Sequence, residues 1–221
     1  MNKRSAAMMA MSLCLLLGAL RMVDLLYLSD PAAGFALVGK SWYRYLIAAA
    51  AIAVLFVLSR WASTRPVAIF QRKPALGVTM LPTSAIFGLA ALAAPVWTAV
   101  DRFAIQPASL ARTGHTLQVL SVLAALAFTS TLLKVIHLPQ APYGRTIAFT
   151  GAMAFLFCTC IEVGQTLVSM LAGGAGLLDF VQSFCWGGVG LCGLVCMLYA
   201  SGQDRKELPL FRIPADNKTI R

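Results

Sequence analysis

Ionisable side chains are scarce in this chain, and those with the clearest chemical potential sit in apolar company. Arg21 and Asp24 interrupt the run LGALRMVDLLYL, and Glu162 interrupts FLFCTCIEVGQT. A carboxylate held away from water draws a proton or a cation; an arginine there compensates a carboxylate or draws an anion. Cys158, Glu162, Gln165, Thr166 and Ser169 follow one another at 4, 3, 1 and 3 residues, which places them on one helical face. Asp179, Gln182 and Ser183 open the last apolar run, Gln118 and Ser121 lie early in the fourth, and Thr98, Asp101 and Arg102 close the third.

Arg21 and Asp24 are i,i+3 neighbours, and helical side chains lean toward the N-terminus, so Asp24 is expected to reach Arg21. One cation against two carboxylates (Asp24 and Glu162) leaves an excess negative charge, and Glu162 is the expected third member of the pair. The candidate intramembrane polar cluster is Arg21, Asp24, Glu162, Gln165, Asp179 and Gln182. Two readings stay open: a substrate or proton site in an outward-opening cavity, and a buried charge network that fixes helix register.

Other chemistry finds little footing. The sequence contains no GxxxxGK[ST], GxSxG or HExxH motif. His115 and His137 fall at opposite ends of one span and cannot share a metal. The six cysteines, Cys14, Cys158, Cys160, Cys185, Cys192 and Cys196, include no Cys-x-x-Cys pair, so neither a zinc site nor a disulfide framework is indicated. Cys185, Cys192 and Cys196 share a helix face, where ordinary packing by a small hydrophobe competes with a soft-metal or thiol site. No catalytic residue, cofactor or metal is expected, and the reading leans away from an enzyme.

The elements that must position these groups are membrane helices. Of 221 residues, 59% are apolar and 12% charged, far from the ~25% charged usage of soluble domains. The mean hydropathy is +0.79. In hydrocarbon every backbone polar group must be satisfied within the segment, and long unbroken apolar runs meet that need as helices. Six runs approach the ~20 residues that cross a ~30 Å core: Ala7–Leu28, Trp42–Ser59, Pro82–Val100, Leu117–Ile136, Thr146–Leu171 and Leu177–Ala200. The first also reads as an uncleaved signal anchor, being longer than a signal-peptide h-region. Small residues at four-residue spacing, Ala90, Ala94 and Thr98 on the third run and Gly188, Cys192 and Cys196 on the sixth, are expected to mark close-packed faces.

Orientation follows from the basic residues. With the N-terminus inside, the outer segments hold Lys40, Arg44, Arg102 and Arg112, the inner segments hold 13 of the 18 Lys and Arg, and Arg21 lies within a span. Both termini are therefore expected in the cytoplasm. The net charge of +10 is mostly this bias, which argues against nucleic acid as a partner. The loop from Arg60 to Lys73 and the basic tail, residues 201–221, can lie on anionic headgroups at the inner face. The expected fold is thus all-α: a polytopic transmembrane bundle of six helices over residues 1–200.

The stretch RMVDLLYLSDPAAGF, with its turn Asp30-Pro31-x-x-Gly34-Phe35, resembles the end of the first span in small bacterial six-span membrane proteins to which no activity is attached. That resemblance implies architecture and a multi-pass place in the bacterial cytoplasmic membrane, and no site. The size also resembles permease subunits and vitamin-uptake binding subunits, without a motif of either. The expected role is a transporter-like or permease-like component. The alternative is a non-catalytic scaffold or accessory subunit that binds another membrane protein or a second copy of itself.

Overall fold

The computed structural model describes residues 3–29, 42–62, 92–101, 104, 113–137 and 142–202. The described residues are helical with short turns and contain no strand. In chain order the helices are α1 (Lys3–Tyr27), α2 (Trp42–Ser59), α3 (residues 92–101), α4 (Thr113–His137), α5 (Gly144–Leu171) and α6 (Leu177–Gly202). All but α3 are long and apolar enough to cross a membrane. The expected third span, Pro82–Val100, lies half outside the described residues, as do most of the loop after Arg60 and the tail from residue 203.

Helix α5 is the axis of the bundle. It touches α1, α2, α4 and α6. Of its most apolar stretch 67% is buried, against 28% for α1 and α6 and 17% for α2, so the outer helices turn most of their surface outward. That surface carries Leu15, Leu16, Leu20 and Leu26 on α1, Val54 and Val57 on α2, and Leu191 and Val195 on α6. Such continuous apolar exposure matches a lipid environment and would be a liability in water.

Local sequence explains the α5–α6 hairpin. Gly173 adopts the left-handed conformation at φ 73°, where a side chain would be strained. The Gly174 amide donates to Ser169 O at 2.9 Å and the Gly173 amide to Met170 O at 3.0 Å, the paired bonds of a Schellman ending. Two residues after Gly174, the Gly176 amide donates to the Asp179 carboxylate at 3.0 Å, half of a capping box that opens α6.

The two helices then lie almost backbone to backbone. A Cβ on Gly151 would stand 2.5 Å from Gly193 O, and one on Gly193 would stand 2.6 Å from Gly151 O. A Cβ on Gly190 would collide with Thr159 Oγ1 and lie 2.8 Å from Ala154 O, and one on Gly187 would lie 2.7 Å from Val163 Cγ2. The close-packed face of α6 is therefore Gly187, Gly190 and Gly193, at three-residue spacing. This corrects the expected face: Gly188 has open space around it, Cys185 and Cys192 are exposed, and Cys196 is half-buried. The three-residue ridge wins because it removes side chains where α5 approaches most closely, and the four-residue stripe is left facing outward. On α1, Gly18 makes the matching approach, its missing Cβ 2.7 Å from Cys160 Cβ.

Helix directions are fixed by short connections and shared contacts. The start of α1, the end of α2, the start of α5 and the end of α6 meet around Ala6, Ala10, Leu55, Ala62, Ala148 and Met197. The cleft between them, about 10 Å³, admits at most one water molecule. Six residues join α4 to α5, so these two are antiparallel neighbours and α4 starts at the opposite end. The chain therefore leaves α2 at the end bearing the N-terminus and re-enters α4 at the far end.

Candidate functional site

The polar residues gather in two places, both on the far side of the bundle's middle. The first is built on an irregularity in α5. Residues Phe155–Val163 form a π-helix, in which the backbone carries an extra residue per turn. This widened stretch addresses three neighbours in succession. Cys158 Sγ lies 3.2 Å from Ser121 O of α4, Thr159 Oγ1 donates to Gly187 O of α6 at 2.9 Å, and Cys160 meets Gly18 of α1. Glu162, 2% exposed, lies in the last turn of the segment and is hydrogen-bonded to the Ser121 hydroxyl, itself 1% exposed. Gln165, 8% exposed, follows along the helix with Oε1 unpartnered among the described residues. Thr166 donates to the Glu162 carbonyl at 3.0 Å, so its hydroxyl is engaged within α5.

The Ser121 hydroxyl also lies 2.8 Å from Gln118 O. A hydroxyl has one proton and serves one acceptor at a time. Ionised, Glu162 takes that proton as a charge-assisted hydrogen bond. Protonated, Glu162 donates to Ser121 Oγ, and the hydroxyl returns to Gln118 O. A single rotation of the Ser121 hydroxyl thus serves either acceptor.

The second place is at the far rim. Arg21 Nη1 is paired with Asp24 Oδ2, as the i,i+3 spacing implies. The other carboxylate oxygen, Asp24 Oδ1, pairs with Arg44 Nη2 at 2.8 Å, and Arg44 Nη2 also donates to Leu28 O at 3.2 Å. The Arg44 guanidinium lies 5.6 Å from the Tyr43 ring centre. The third member of this cluster is therefore Arg44, from α2. Glu162, the member expected from charge balance, is hydrogen-bonded to Ser121, and the ion pairs of Arg21 and Arg44 go to Asp24. The local excess changes sign with this exchange: two guanidiniums and one carboxylate.

Asp179 and Gln182 stand apart from both places. They are exposed at the start of α6, where Asp179 holds the Gly176 amide. Ser183, one residue on, is 3% exposed with its hydroxyl unpartnered among the described residues. No three His, Cys, Asp or Glu side chains gather as a metal site among the described residues.

Arg44 was not expected in this cluster because by sequence its charge counts with the outer segments. Its setting held a signal. Arg44 stands among Trp42, Tyr43 and Tyr45 at the mouth of an apolar run, at the rim where the Arg21–Asp24 pair also lies. The π-helix had no signal of its own. No family model, curated protein or solved structure matches this chain.

Proposed function

We propose that this chain is a transporter-like or permease-like component of the bacterial cytoplasmic membrane. It crosses six times with both termini in the cytoplasm, and Glu162 is its proton- or cation-handling group. The return of the chain from the near end of α2 to the far start of α4 supports a sixth crossing. The inner excess of Lys and Arg supports the orientation. The observation that carries the functional reading is the Glu162–Ser121 pair inside the π-helical stretch of the most buried helix. A mid-membrane ionisable group costs at least ~2.5–3.5 kcal/mol on insertion scales, so retaining one asks for a use. A π-segment gives the helix a local alternative register, a feature concentrated at functional sites.

The test is proton flux in proteoliposomes that hold a pH-sensitive dye, driven by an imposed membrane potential. Wild type passes protons faster than protein-free vesicles, and Glu162→Gln, folded and reconstituted equally, does not. Equal flux in the two proteins, or none above protein-free vesicles in wild type, contradicts the proposal.

The accessory-subunit reading has one observation in its favour. The outward-facing small residues Gly188 and Cys192 leave a groove on α6 of the kind that receives another helix. Under that reading Gly188→Leu removes a stoichiometric partner from gently extracted complexes while leaving the chain's own thermal unfolding unchanged.

A further inference from the structure

The rim cluster is built to accept an anion. Arg21 is 8% exposed, and the Arg44 side chain is equally buried at 8%. Two guanidiniums share one carboxylate, so the cluster carries a formal charge of +1 with Asp24 already engaged on both oxygens. Four of the guanidinium nitrogens, Arg21 Nε and Nη2 and Arg44 Nε and Nη1, have no hydrogen-bond partner among the described residues. Buried and unpaired donors of this kind are costly, and a charged one more so. The pattern at Arg21 is specific. Asp24 uses Nη1, which leaves free the Nε–Nη2 edge, the side of the guanidinium plane that meets a phosphate or carboxylate through two parallel bonds.

Depth says where such an anion comes from. Tyr27, 75% exposed, ends α1, and Trp42, 58% exposed, begins α2. Aromatic side chains of this kind sit at the level of lipid headgroups. Arg44 is two residues inside Trp42 and Arg21 six residues inside Tyr27, so the free donors lie about 3–9 Å below that level at 1.5 Å per helical residue. The Ser29 hydroxyl, buried and also without a partner among the described residues, follows the carbonyl that Arg44 already holds and adds a neutral donor at the same rim.

We propose that Arg21 and Arg44, held apart and oriented by Asp24, form a binding site for a phosphate group at the far face of the bundle. The phosphate belongs to a lipid headgroup or to a soluble phosphate-bearing solute. The site has its own carboxylate and its own helices: Arg21 and Arg44 pair with Asp24 between α1 and α2, whereas Glu162 is hydrogen-bonded to Ser121 between α5 and α4.

The full chain, purified and stripped of lipid in neutral detergent, decides it. Native mass spectrometry after adding phosphatidylglycerol, with diacylglycerol as the phosphate-free control, reads the lipid arm. Thermal unfolding in inorganic phosphate against chloride at equal ionic strength reads the solute arm. One phosphatidylglycerol retained per chain assigns a headgroup, and a rise in unfolding midpoint with phosphate assigns a free anion; either supports the site. In Arg44→Gln, where Arg21 still pairs with Asp24 and the cluster is neutral, retention or response falls about tenfold or more, the loss expected when a charge-assisted contact goes. Wild type that responds to neither probe overturns the proposal whatever the variant does. Binding by Arg44→Gln equal to wild type overturns it as well.

Discussion

Asp24→Asn should destabilise the bundle more than Arg44→Gln, although each removes one charge from the same cluster. In the native arrangement Asp24 is the carboxylate shared by two buried guanidiniums, bonded to one through each oxygen. Removing one partner of a buried ion pair costs about 3–5 kcal/mol, because the remaining charge is left uncompensated. Asp24→Asn leaves two such charges, but its side chain is 15% exposed and the rim lies near headgroups, so the lower end, about 3 kcal/mol, is the expected cost. Arg44→Gln leaves the Arg21–Asp24 pair intact and removes the uncompensated positive charge. Its losses are the Arg44–Asp24 pair, after which Asp24 still holds Arg21, and the Arg44–Leu28 bond, together about 1–2 kcal/mol. Combining the two substitutions should cost less than the sum, since each removes the same Asp24–Arg44 pair. Reversible unfolding in mixed micelles of neutral detergent and dodecyl sulfate, followed by far-ultraviolet circular dichroism, measures all three. Equal costs for the single variants, or strict additivity, would refute the view that charge imbalance governs this rim.

Elsewhere the expected outcomes are as specific. Ser121→Ala removes the Glu162 hydroxyl partner and should cost about 1–3 kcal/mol by the same unfolding assay, and its combination with Glu162→Gln should cost less than the sum of the two single changes. Gly151→Ala places a methyl 2.5 Å from Gly193 O and forces α5 and α6 apart, costing about 1–3 kcal/mol, whereas Gly188→Ala, with open space, should stay within about 0.5 kcal/mol. Gly173→Ala imposes a side chain on a left-handed turn and should cost about 1–2 kcal/mol in thermal unfolding, although nothing lies near enough to clash.

Much of the architecture is legible because bilayer thickness imposes length. Apolar runs must be about 20 residues long, and five of the helices are as long and apolar as that demands. The Arg21–Asp24 pair was legible because it is local, set by helical spacing alone. Arg44 was not, since its contact with Asp24 depends on how α2 lies against α1, and helix rotation leaves little trace in composition. The packing face of α6 failed for the same reason. Two small-residue stripes, Gly187–Gly190–Gly193 and Gly188–Cys192–Cys196, compete within one span, and only the approach of α5 selects the first. Asp179 fits a polar vestibule by residue type, but its place three residues after Gly176 gives it a local capping duty. The π-helix at Phe155–Val163 left no pattern to read, and the contacts that Cys158, Thr159 and Cys160 make there, each with a different neighbouring helix, depend on how those helices pack.

Transport through Glu162 requires that the polar face beyond it open to the outside, and cysteine accessibility reads that opening. In a background without native cysteines, Gln165→Cys stands one turn from Glu162 on the buried face, and Leu167→Cys stands at an exposed position of the same turn. With an open face, a membrane-impermeant thiol reagent modifies Gln165→Cys in intact cells from the outer side, and Leu167→Cys far more slowly because that position faces lipid. Gln165→Cys that reacts from neither side would describe a dry bundle in which Glu162 and Ser121 only hold helices together, and would contradict a transport role.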